Sequence, residues 1–119
     1  MKRILVVEDN ETNMYLIRFI LEKSGYEVIE AKEGAAGVEL AGKEKPDLVI
    51  MDVQLPDIDG LEATKRIRVS EADSDIPIIA LTSFAMAGDR EKALAAGCTG
   101  YIEKPINPDT FIAEIEKFL

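Results

Sequence analysis

PDLVIMDVQLPDIDG (residues 46–60) reads as a short strand that runs into a turn-rich loop. Leu48, Val49, Ile50 and Met51 form a continuous apolar run bounded by Pro46 on one side and by Pro56 and Gly60 on the other, the pattern of a strand buried on both faces. Asp52 follows directly, and its carboxylate is expected to emerge into solvent at the lip of the loop. Ligands of open α/β sheets bind in the crevice beyond the carboxyl ends of the strands. Asp52 is therefore the first candidate for chemistry, and each other strand can be asked what it delivers to the same edge.

Working outward, the apolar run RILVVE from Arg3 to Glu8 predicts a first strand that ends at two acids, Glu8 and Asp9. Helical spacing from Thr12 to Ser24 is closed by Ser24-Gly25. Its apolar residues, Met14, Leu16, Ile17, Phe19, Ile20 and Leu21, cover an arc wider than the roughly 100° stripe a surface helix needs. Tyr26 to Ala31 alternates and predicts an edge strand whose glutamates face water. Gly34 to Lys43 predicts a short helix weakened by its glycines. Beyond the Asp52 strand, Leu61 to Ser70 is helical, and Glu71 to Asp75 is a polar connector. Ile76 to Leu81 is a buried strand that stops at Thr82 and Ser83. Met86 to Ala96 is a helix closed by Gly97, Gly100 to Glu103 a short strand followed by Lys104-Pro105, and Pro108 opens a last helix. The alternation predicts five βα units around a parallel sheet with helices on both faces.

Composition narrows the function classes. A chain of 119 residues has room for one core and one domain. Its net charge of −9, from 14 basic and 23 acidic residues, argues against nucleic-acid binding. The apolar runs are too short to span a membrane and no signal-peptide pattern follows Met1, so a cytoplasmic location is expected. One cysteine, Cys98, and no histidine leave no zinc site and no histidine-based triad.

The strand ends together supply Glu8, Asp9, Asp52, Thr82, Ser83 and Lys104. Three carboxylates brought close repel one another, and a divalent cation with oxygen ligands relieves that repulsion. Mg²⁺ is the natural candidate, with Mn²⁺ the alternative, since no imidazole or thiolate is offered to a softer metal. A cation, an ammonium and a hydroxyl suit the equatorial oxygens of a phosphoryl group in transfer, with Asp52 as the nucleophile.

Four stretches, VVEDN from Val6, VIMDVQLPDIDG from Val49, ALTSFA from Ala80 and YIEKPI from Tyr101, resemble the receiver domain of two-component response regulators. The resemblance covers the whole chain and implies a flavodoxin-like doubly wound sheet of order 2-1-3-4-5 with five helices. It implies that Asp52 accepts phosphate from a histidine kinase or histidine phosphotransferase. Glu8, Asp9, Asp52 and the backbone carbonyl of Gln54 would surround Mg²⁺, Lys104 would pair with the phosphoryl group, and the bond to Pro105 would be cis. Thr82, with Ser83 beside it, would move toward the phosphoryl oxygens and draw Tyr101 inward as a switch. Gln54 and Phe84 stand where family members tune phosphoryl lifetime. NETNM, ALTSFAM and the expected absence of an output domain are similar to single-domain receivers of the DivK type. Output would then pass to a downstream regulatory protein, from a monomer or from a dimer formed on phosphorylation.

The wide apolar arc of the first helix has two readings, a helix packed on both sides or a docking surface beside the site. The second is preferred and places Asn13, Met14 and Ile17, with Pro105, against the donor's helices. Such a protein is not an enzyme beyond its own phosphorylation and dephosphorylation. Two rivals stand beside it. A phosphatase with an aspartyl nucleophile would want an acid at Gln54, and a pseudo-receiver that never takes phosphate would not need the set Asp9, Asp52, Thr82 and Lys104.

Overall fold

In a computed structural model, which describes residues 2–70, 75–83 and 88–119, five strands and five helices alternate along the chain. The strands are β1 (Arg3–Val7), β2 (Glu27–Ala31), β3 (Leu48–Asp52), β4 (Ile78–Thr82) and β5 (Gly100–Glu103). All pair in parallel in the order β2-β1-β3-β4-β5, the flavodoxin-like doubly wound arrangement. The helices are α1 (Glu11–Lys23), α2 (Gly34–Glu44), α3 (Gly60–Val69), α4 (Asp89–Ala96) and α5 (Pro108–Glu116). The expected start of the fourth helix at Met86 lies outside the described residues. Pairing of β4 begins at Ile78 rather than at Ile76, because Pro77 has no N–H to give a ladder and the Ile76 carbonyl is taken by the Arg68 guanidinium.

Alternate residues of every central strand feed opposite cores. Ile4, Val6, Leu48, Ile50, Ile79 and Leu81 pack with Met14, Ile17 and Leu21 of α1 and with Phe111 and Ile115 of α5. Leu5, Val7, Val49, Met51, Ile78 and Ala80 pack with Ala41 of α2, Ala63 and Ile67 of α3 and Ala93 of α4. The strand sequences lack a polar alternation for this reason, whereas edge strand β2 keeps Glu27 exposed. The glycines that lower the intrinsic helicity of α2 let it lie against the sheet: a Cβ on Gly37 would come within 2.7 Å of Val7 Cγ2.

The structure divides the wide apolar arc of α1. Met14 and Ile17, expected at a docking rim, are 5% and 0% exposed and belong to the core. Each contributes about 1.5–3 kcal/mol by staying there, so the docking assignment fails for both. The surplus apolar surface belongs to Tyr15, 71% exposed, and Phe19, 54% exposed. Their rings stack with centroids 6.4 Å apart, and the Lys23 ammonium stands 5.9 Å from the Phe19 centroid.

Candidate functional site

Register builds the site. Val7 pairs with Met51, so Glu8 and Asp52 come level at the carboxyl ends of neighbouring strands. Asp52 pairs with Leu81, and Thr82 with Glu103, which brings Thr82 and then Lys104 to the same rim. Backbone bonds carry this order past the strands: Glu8 N–H to Ala31 O (2.9 Å), Val53 N–H to Leu81 O (2.9 Å) and Lys104 N–H to Thr82 O (2.7 Å). The chain leaves β1 toward β2 on one side and returns through β3 on the other, so the β1–β3 crevice is the switch point of the sheet.

One carboxylate oxygen from each of Glu8, Asp9 and Asp52 lies within 4.8 Å of the other two. Lys104 Nζ sits 3.0 Å from Glu8 Oε2 and 3.2 Å from Asp52 Oδ2. Asp52 was expected in solvent; it is instead the last residue of β3 and 3% exposed, because its strand continues one residue beyond the apolar run. Glu8 is 1% exposed, while Asp9 stands open. The Asp52 carboxylate accepts the Gln54 N–H (3.1 Å), and Glu8 accepts the Asn10 N–H (3.3 Å). A cleft of about 300 Å³ opens over these groups, bordered by Asn10, Asn13, Gln54 and Ser83.

Burial pushes the Glu8 carboxyl above its ordinary value, the Asp52 charge adds to that, and the Lys104 ammonium opposes it. Burial also works against the Lys104 charge, but the bond to Glu8 and the field of Asp52 outweigh it and raise the lysine's pKa. Three carboxylates against one ammonium leave a local excess of negative charge. Hard oxygen donors with that excess fit a divalent cation such as Mg²⁺.

Thr82 is 4% exposed, and Tyr101 beside it is half-buried. Both residues line a second cavity of about 290 Å³ with Val53, Leu61 and Ala93, between the sheet and α4. The peptide bond from Lys104 to Pro105 is cis, and Pro105 is exposed. Asn13, the one α1 residue of the expected docking set that is not buried, lies at the cleft rim. Phe84 lies outside the described residues.

The contacts of three residues were not legible in the sequence. Gly60 packs so tightly that a Cβ would collide with the Asp52 carbonyl oxygen. Lys104 was paired with the phosphoryl group and not with Glu8. Asp57 accepts the N–H groups of Gly34 and Ala35, capping α2 from another loop. The available signal was Glu33: a glutamate at the N-cap position makes no side-chain cap, so α2 must find its partner elsewhere.

A family model described as the response regulator receiver domain matches residues 4–116. The polar-differentiation response regulator DivK of Brucella ovis is 47% identical over 118 residues, covering 99% of this chain and 96% of that protein. Among solved structures, the receiver domain of a sensor histidine kinase from Pseudomonas aeruginosa PAO1, with a magnesium ion coordinated in its active-site cleft, is 38% identical with a TM-score of 0.91. It covers 98% of this chain and 96% of that one. Chemotaxis protein CheY4 of Vibrio cholerae superposes with a TM-score of 0.95 at 30% identity, over 100% of this chain and 99% of that one.

Proposed function

Because the chain belongs to the response regulator receiver domain family, we propose that it is a phospho-acceptor switch of a two-component system, with Asp52 as the acceptor. The observation that carries this reading is the bridge made by Lys104 between Glu8 and Asp52, with Asp9 beside it in one open cleft. An oxygen of Asp52 attacks the phosphorus of a phosphohistidine on the donor, a histidine kinase or histidine phosphotransferase. The P–O bond forms as the P–N bond breaks, the electron pair stays on the imidazole nitrogen, and an acyl phosphate results. Glu8, Asp9, Asp52 and the Gln54 backbone carbonyl would hold Mg²⁺, which when bound would offset the charge of the phosphoryl oxygens. Lys104 exchanges one carboxylate contact for a phosphoryl oxygen, and Asp52 is kept from wider solvent by its burial.

Output runs through Thr82. The phosphoryl group adds about −1.5 to −2 charges beside its hydroxyl. Thr82 turns toward that charge and away from Tyr101, and the ring moves into the cavity under α4. A downstream regulatory protein reads the changed face. Donor helices meet the cleft rim at Asn13 and Pro105, with the exposed Tyr15–Phe19 pair on α1 as a further apolar contact. The experiment is an amide NMR comparison with and without Mg²⁺ and beryllofluoride. Shifts at Thr82 and Tyr101 in wild type that vanish in Asp52→Ala support the switch, and a spectrum unchanged by the additions rejects it.

A further inference from the structure

The loop between β3 and α3 carries Val53 to Asp59 past the mouth of the cleft. Its ends are fastened by the Gly60 N–H to the Val53 carbonyl (2.8 Å) and by Asp59, whose carboxylate caps α3 through the Glu62 N–H (2.8 Å). Its middle is fastened to a different element. Asp57 Oδ1 accepts the Gly34 N–H at 2.8 Å and Oδ2 accepts the Ala35 N–H at 2.9 Å, so both carboxylate oxygens hold the first turn of α2. The following residue, Ile58, packs on Gly34 so closely that a Cβ there would lie 2.5 Å from Ile58 Cγ1. The first turn of α2 and the middle of the loop are thus locked by two bonds and one steric fit.

That lock bears on the site through one residue. Gln54 lies three residues before Asp57 on the same loop, and its N–H holds the Asp52 carboxylate at 3.1 Å. If the middle of the loop swings, the Gln54 N–H and carbonyl move, and the orientation of the Asp52 carboxylate moves with them. We propose that Asp57 is a positioning residue for the cation site: by anchoring the loop to α2 it presets Gln54 and Asp52 before the metal arrives. The inference deepens the reading of this cleft as a Mg²⁺ site and rests on it. Supporting groups behind metal ligands commonly change affinity by tenfold or more when removed.

The test is calorimetric titration of the full chain with Mg²⁺, run beside thermal unfolding, for wild type, Asp57→Ala and Asp57→Asn. Asp57→Ala is expected to bind Mg²⁺ about tenfold more weakly. Asp57→Asn, which keeps one acceptor oxygen, is expected to fall between it and wild type. A loss of stability alone would lower the unfolding midpoint and leave the affinity of the folded protein unchanged, so the two readouts separate positioning from bulk stabilisation. A folded Asp57→Ala with wild-type affinity overturns the proposal and leaves the cation reading intact. Should that variant not fold, wild-type affinity in Asp57→Asn overturns it equally. Wild-type protein that fails to bind Mg²⁺ overturns the cation reading itself.

Discussion

The Lys104 ammonium lies 3.0 Å from Oε2 of Glu8, a carboxylate held almost wholly out of water at the end of β1. Lys104 is itself mostly covered, so the pair is a desolvated one in which each charge depends on the other. Lys104→Ala leaves Glu8 and Asp52 facing each other with no cation from the chain. Without divalent metal this is expected to cost about 3 kcal/mol in urea unfolding. Mg²⁺ is expected to restore more stability to the variant than to wild type, because the ammonium no longer competes for the carboxylates. Equal gains from Mg²⁺ in both proteins would mean that Lys104 and the cation do not share this site.

Asp57 makes a pH prediction. Bonds from the Ala35 and Gly34 N–H groups hold its carboxyl at about 2 against an ordinary 3.8. A depressed acid contributes stability that is complete above its unfolded value and is lost as pH falls toward the folded one. Wild type is therefore expected to lose stability between pH 3.8 and about 2 in a step that Asp57→Asn lacks. Parallel acid-unfolding curves for the two proteins would refute the capping role.

Gly60 has a packing cost attached to any side chain. A Cβ would overlap the Asp52 carbonyl oxygen and crowd the Val53 Cα, so the end of β3 has to shift. Gly60→Ala is expected to lose about 1–3 kcal/mol. Because the Asp52 carbonyl is among the displaced atoms and Asp52 is the proposed acceptor, phosphorylation by acetyl phosphate is expected to slow as well. Wild-type stability and rate would show that the backbone there yields freely.

On α1, neighbouring positions separate core from surface. Ile17→Ala is expected to cost about 2–5 kcal/mol. Tyr15→Ala and Phe19→Ala, at exposed positions, are expected to stay within about 0.5 kcal/mol of wild type. Acetyl phosphate, too small to need a docking face, is expected to phosphorylate both exposed variants at the wild-type rate. A histidine-kinase donor is expected to do so more slowly, and equal rates from that donor would remove α1 from the docking surface.

Where a local pattern decides structure, the sequence was sufficient. The apolar runs ending at Glu8, Asp52 and Thr82 identify parallel strands and their common edge, and β5 begins and ends where read. Relations between distant segments were harder. That Asp52 is buried depends on β4 extending beside it through Leu81, which its own run does not reveal. The arc of α1 was correctly seen as too wide, but hydrophobicity alone cannot rank Ile17 against Phe19; the direction of the sheet does. Asp57 caps a helix 22 residues away in sequence, beyond the reach of any local capping pattern.

The central claim is that Asp52 accepts a phosphoryl group with a divalent cation held by its neighbours. Intact-protein mass spectrometry after incubation with acetyl phosphate, with Mg²⁺ or with a chelator, tests it most directly. One added phosphoryl group in wild type with Mg²⁺, none with the chelator and none in Asp52→Ala is the predicted result. Equal incorporation in Asp52→Ala, or none in wild type with Mg²⁺, would contradict it.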